Sequence, residues 1–167
     1  MRALVVTTLR NEGPYILEWL AHYRALGFSD VLAFSNDCDD GTDAMLDRLA
    51  EMGALTHIRT QRGARSVQWE ALAEGSEHPV TRAADWILVV DIDEFLTIRA
   101  GSGRLADLLA VQADGYVLGW RLFGSSGRVG FDPGPVLEQF TRAAPEDLTW
   151  PLRAILYKCL YRNSGTY

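Results

Sequence analysis

The chain has 167 residues, room for one domain of ordinary size and little more. Hydrophobic residues make up 48% and charged residues 23%, so a packed core is expected and disorder is not. The net charge of −6 leaves no basic face of the kind nucleic acid requires, although local cations or a divalent metal could still hold an anionic small molecule. Cys38 and Cys159 are too few and too far apart for a disulfide framework or a CxxC metal site, and read as free thiols in a reducing compartment. No charged leader precedes the apolar run at Leu4, and Trp86 to Val90 falls far short of the roughly 20 residues a membrane helix needs. The expectation is a cytoplasmic protein with no transmembrane segment, peripheral attachment at the inner membrane remaining open.

Leu4 to Leu9 is continuous and β-branched, the pattern of a strand buried on both faces. Pro14 suits the first turn of a helix. Ile16, Trp19, Leu20, Tyr23 and Leu26 follow at helical spacing, and Gly27 stands where that helix should end. A second strand, Val31 to Ser35, runs into the acidic turn Asn36 to Gly41, after which Thr42 is expected to cap a helix with an apolar face of Met45, Leu46, Leu49 and Met52. Gly53 is its stop. A third strand covers about Leu55 to Arg59, Gln68 to Glu74 reads as helix, and Trp86 to Val90 as a fourth, fully buried strand. Beyond Glu94 the pattern weakens. Leu105 to Val111 is expected to be helical, Tyr116 to Leu122 a strand and Phe123 to Gly127 a flexible loop. Pro133, Pro135, Pro145 and Pro151 mark turn-rich chain, and Asn163 to Tyr167 ends without a clear stop, as in a piece of a longer protein.

Strands separated by helices favour one mostly parallel sheet. Ligands then bind outside the carboxyl ends of its strands, where the strand order reverses. The residues just past the strands are therefore the candidates, namely Arg10-Asn11-Glu12, Asn36-Asp37 and Asp91-Ile92-Asp93-Glu94. The last is the sharpest. Three carboxylates within four residues repel one another unless a cation is present, and Mg²⁺ or Mn²⁺ would supply one and bridge to phosphate oxygens. Strand alternation lets Asp91 and Asp93 point one way and Ile92 the other. The plain alternative is a solvated strand end capping the next turn. Asp37 could accept hydrogen bonds from a ribose or base or simply serve the turn, and both roles stay open; Asp39 and Asp40 fit the turn better. Glu12 could accept from a base and Arg10 could meet phosphate, while Asn11 could cap the first helix. Arg59, Arg62 and Arg65 form the one basic cluster, suited to a diphosphate or to plain solvent exposure. Trp19 and Trp86 read as core, whereas Trp120, beside a glycine-rich loop, could stack on a sugar ring. His22, His57 and His78 show no ligand spacing.

Together these pieces resemble the family-2-like glycosyltransferases of the GT-A fold. The matching residues are Thr8 to Glu12, Glu18 to Tyr23, Asn36 to Thr42, Gln68 to Ala71, Trp86 to Phe95 and Leu118 to Gly127. The resemblance implies a single α/β, GT-A, Rossmann-like domain over residues 1–167. A nucleoside diphosphate sugar, foremost a UDP-sugar, would bind across the first two strands, with Arg10, Asn11, Glu12, Asp37, Gln68 and Asp91 in the binding set. Asp93, with Asp91, would ligate Mn²⁺ or Mg²⁺. The sugar would pass to a hydroxyl of a carbohydrate or lipid-linked acceptor, usually with inversion, which calls for a general base. Asp132 and Glu138 are its candidates. Related enzymes often add a metal-ligating histidine from the C-terminal part, and no histidine follows His78 here. A degenerate, non-catalytic nucleotide-binding domain is therefore a second reading. A third is a haloacid-dehalogenase-like phosphatase, whose DxD normally lies on the first strand with Thr or Val where Phe95 stands here.

Overall fold

The computed structural model describes residues 1–61, 66–145 and 156–164. In chain order the elements are β1 (Ala3–Leu9), α1 (Gly13–Leu26), β2 (Asp30–Ser35), α2 (Thr42–Glu51), β3 (Thr56–Arg59), α3 (Val67–Glu77), α4 (Pro79–Arg82) and β4 (Trp86–Val89), then α5 (Leu105–Leu109), β5 (Gly115–Gly119), α6 (Val136–Gln139) and β6 (Tyr157–Arg162). The six strands form one sheet in the order β3-β2-β1-β4-β6-β5. The pairings β3-β2, β2-β1 and β1-β4 are parallel. This is the α/β architecture, mostly parallel and flanked by helices, that the sequence led us to expect.

Alternation along the strands divides the core. Ala3, Val5, Leu9, Val31, Ala33, Leu88 and Val90 pack with Ile16, Trp19, Leu20 and Tyr23 of α1 and with Leu46 of α2. Leu4, Val6, Leu32, Phe34 and Ile87 face the other way and are covered by Ala71 of α3 and Ala84. Burial on both sides is why the central strands read as unbroken apolar runs. Gly27 ends α1 at φ 108°, a conformation glycine reaches without steric cost.

Two expectations need correction. Thr42 does not cap α2. It is the first helical residue, the cap position is Gly41 at φ 92°, and the Thr42 N–H donates to Asp40 Oδ1 at 2.9 Å. The Thr42 hydroxyl instead accepts from the Gly13 N–H at 2.8 Å, joining the starts of α1 and α2. Asn11 does not cap α1 either, for the cap position is Glu12, without a side-chain cap bond. The sequence pattern predicts no element over Tyr157–Arg162, which is a strand. β6 enters the sheet between β4 and β5, antiparallel to both.

Candidate functional site at the reversal of strand order

From β1 the chain winds outward through β2 to β3, then crosses to β4 on the other side of β1. The strand order therefore reverses between β1 and β4, where Arg10 to Glu12 and Asp91 to Glu94 emerge side by side. The 91–96 loop is fixed by the polar tips of aromatic side chains on α1. Trp19 Nε1 donates to the Asp91 carbonyl at 3.2 Å, Tyr23 Oη donates to the Glu94 carbonyl at 3.1 Å, and His22 Nε2 lies 2.9 Å from the Leu96 carbonyl. Glu94 folds back so that its Oε2 accepts from the Asp91 N–H at 2.8 Å.

The carboxylates meet a cation from β6. Lys158 Nζ lies 2.9 Å from Asp91 Oδ2 and 3.2 Å from Glu94 Oε2, with side chains 23%, 42% and 18% exposed respectively. Burial alone would lower the Lys158 pKa, but its hydrogen bonds and charge pairing with Asp91 and Glu94 raise it above the ordinary value. Burial pushes Glu94 up despite the Asp91 N–H and the ammonium beside it. Glu12 is also raised, first by burial, against the pull of the Arg10 N–H, with the charges of Asp93 and Asp91 adding to the rise. One ammonium thus pairs with Asp91 and Glu94, while Glu12 feels the charges of Asp93 and Asp91. Among the described residues, no group of three or more His, Cys, Asp and Glu side chains could hold a metal ion. Hard divalent cations often use one or two carboxylates completed by substrate phosphate oxygens, and Asp91 and Asp93 are such a pair in chemistry.

Of the residues named from sequence, Glu12, Asp91 and Asp93 come together electrostatically. Asn11, at φ 56°, is tied to the acidic turn, its Nδ2 donating to Asp39 Oδ1 at 2.6 Å and its Oδ1 accepting from the Asp39 N–H at 2.9 Å. Arg10 and Asp37 are exposed, Asp37 with a positive φ of 46°. Gln68 sits on α3, across the sheet from α1. Asp132 accepts from the Gly134 N–H and pairs with Arg128 at 2.7 Å, and both hold its pKa below the usual range. Glu138 lies exposed on α6, which docks on α1 because Glu18 accepts from the Val136 and Leu137 N–H groups at 2.5 and 3.0 Å. Arg59 pairs with Asp43 and Asp47 of α2; Arg62 and Arg65 lie outside the described residues. Trp120 is half-buried with Lys158 Nζ 5.8 Å from its ring centroid.

A second polar cluster has the connectivity of a hydrolytic relay, with Ser35 Oγ 2.8 Å from His57 Nε2 and His57 Nδ1 2.7 Å from Asp47 Oδ1. Ser35 is only 1% exposed and its hydroxyl also meets Asp43, so no substrate can reach it. The cluster fastens α2 to the sheet.

The fold is that of an α/β domain with an acidic crevice at the reversal of strand order. The sequence profile of glycosyltransferase family 92 matches residues 6–118, and the chain belongs to that family. A family 92 protein of Ricinus communis is 25% identical over 103 residues, 58% of this chain and 17% of that protein. One of Oryza sativa subsp. japonica is 27% identical over 155 residues, 85% of this chain and 25% of that protein. The chain thus spans a quarter or less of the length of these relatives. The crystal structure of S. aureus TarS matches at TM-score 0.51 and 18% identity, over 78% of this chain and 23% of that one, a likeness of fold. The resemblance read from the sequence holds at the level of a glycosyltransferase, with family 92 rather than family 2 as the matching family. No helix among the described residues is long and apolar enough to cross a membrane.

Proposed function

We propose that this domain binds a nucleoside diphosphate sugar, foremost a UDP-sugar, at the strand ends of β1, β2 and β4 and serves its transfer to an acceptor hydroxyl. The observation that carries this reading is the meeting of Glu12, Asp91 and Asp93 at the reversal of strand order, in a chain of glycosyltransferase family 92. In the inverting reaction the acceptor oxygen forms a bond to the anomeric carbon as the bond from that carbon to the diphosphate oxygen breaks. The diphosphate leaves with the electron pair and the acceptor proton passes to a base. Of the two candidates for that base, Glu138 has no ion pair to give up among the described residues, whereas Asp132 is made a weaker base by Gly134 and Arg128. Asp93 and the second oxygen of Asp91 would hold Mn²⁺ or Mg²⁺, which when bound neutralises charge on the departing diphosphate. Arg10 and Asp37, exposed at the rim, would face the phosphates and the nucleoside. The acceptor would be a carbohydrate or lipid-linked hydroxyl compound. A cytoplasmic setting, peripheral or not at the inner membrane, belongs to the same reading and rests on the two free cysteines.

Calorimetry of UDP binding, with Mn²⁺ and then with chelator, tests it. Tighter binding with metal is expected; equal affinity would remove the metal from the site. Hydrolysis of a UDP-sugar under the same conditions separates an enzyme from a nucleotide-binding module.

A further inference from the structure

On the side of the sheet away from α1, an open groove of about 410 Å³ runs between α3 and β6, within the size range of small-molecule sites. Leu72, Val89 and Tyr161 contribute apolar lining, and Gln68, Trp69 and Tyr157 line it as well. Trp69 and Tyr157 are 65% and 62% exposed, and both stand outside the two core clusters. Two large aromatic side chains from separate elements thus border one concavity while remaining in water. Among the described residues, the Gln68 amide, the Trp69 indole N–H and the Tyr157 hydroxyl have no hydrogen-bond partner. Lys158 also lines the groove, but its ammonium is committed to Asp91 and Glu94. The β4-β6 register pairs Leu88 with Leu160; continued toward the strand end, it brings Tyr157 level with Asp91.

We infer that this groove is a carbohydrate subsite seating a neutral pyranose of the acceptor next to the donor crevice, an inference that rests on the transferase reading above. A pyranose ring has a face of C–H groups and a rim of hydroxyls. The aromatic faces of Trp69 and Tyr157 suit the first, and unpartnered amide and hydroxyl groups suit the second. The groove's openness leaves the remaining hydroxyls hydrated. A donor diphosphate would find no uncommitted cation among these lining residues, which assigns the groove to the acceptor. Neutrality follows for the same reason, since among the described lining residues no uncommitted charge faces a charged sugar.

The test uses lactose and cellobiose as probes in saturation-transfer NMR, on the wild-type chain and on Trp69→Ala and Tyr157→Phe. Both side chains are exposed, so folding should be retained, and UDP affinity with Mn²⁺ is measured alongside. At least one disaccharide should receive saturation transfer from the wild-type chain. Trp69→Ala should weaken that binding about tenfold with UDP affinity unchanged, and Tyr157→Phe, which keeps its ring, should weaken it less. No disaccharide binding by wild type, or equal binding by Trp69→Ala, overturns the subsite. A parallel loss of UDP affinity in Trp69→Ala would give the groove to the donor and overturn it too. Trp69-dependent saccharide binding by a chain that binds no nucleotide would keep the carbohydrate subsite and remove the transferase reading.

Discussion

β1 is buried on both faces along nearly its whole length, whereas β6, two strands away in the same sheet, alternates exposed and covered positions around Leu160. The difference follows from what covers each strand. α1 and α2 lie on one side of β1 and α3 on the other, so every residue between them is apolar or small. β6 and β5 have the α1 side filled, by Leu160, Tyr116 and Leu118, while their other face is bordered by the groove. A doubly covered strand writes its burial into the sequence as a run. A singly covered strand leaves a weaker alternation, and this one also carries the lysine that enters the site.

The largest effect should come from the least legible strand. Leu160 is fully buried between β4 and β5, so Leu160→Ala should cost about 2–5 kcal/mol in urea unfolding. Val117→Thr, on the exposed face of β5, should cost under about 0.5 kcal/mol. Similar midpoints for the two would mean that β6 is not an integral strand of the sheet.

Lys158→Met sharpens the same comparison at the site. Removing the ammonium leaves Asp91 and Glu94 without their cation, and the metal-free protein should lose about 1–3 kcal/mol. Mn²⁺ binding without nucleotide should become tighter, because one oxygen of Asp91 is released. Unchanged metal-free stability together with unchanged Mn²⁺ affinity would reduce the Lys158 bridge to a surface pair.

A smaller effect than at Lys158 belongs to the opposite end of the sheet. Arg2 and Asp30 pair at 2.6 Å where β1 and β2 begin. The hydrogen bond from Arg2 holds Asp30 below the usual carboxylate range, burial opposing and the Ser29 hydroxyl assisting. A folded-state value below the unfolded one, about 3.9, stabilises fully above that pH and fades as pH falls through the folded value. Asp30→Asn should therefore flatten the acid limb of a plot of urea midpoint against pH, by under about 1 kcal/mol, and leave UDP affinity untouched. A change in UDP affinity would show the two ends of the sheet to be coupled.

Much of the parallel half was legible because period and punctuation are local. The β-branched run before Arg10, Pro14 and Gly27 around α1, and the apolar run before Asp91 each report their own segment. The partners of the carboxylate loop were not legible. Trp19 reads as core and His22 shows no ligand spacing, yet their polar tips bond the carbonyls of Asp91 and Leu96, more than 70 residues away. Helical periodicity says which face is buried and nothing about which backbone lies under it. The same holds for Glu18, whose carboxylate receives the start of α6 across 118 residues. Lys158 did leave a trace. It is the chain's single lysine, every other basic side chain except histidine being arginine, and a compact ammonium between two carboxylates is the place where that difference matters.

The central claim is that the loop after β4 holds the charge of a metal-bound donor, and Asp93 tests it most directly. Asp93→Asn keeps the shape and removes the charge that would bind a hard cation. Melting temperature without metal and UDP affinity with Mn²⁺ should be measured together on this variant and on wild type. The melting temperature should stay the same or rise slightly, since one repulsive charge beside Glu12 and Asp91 has gone, while the part of the UDP affinity that depends on Mn²⁺ is lost. A variant that melts lower yet binds Mn²⁺ and UDP as wild type does would make Asp93 a structural cap and contradict the claim.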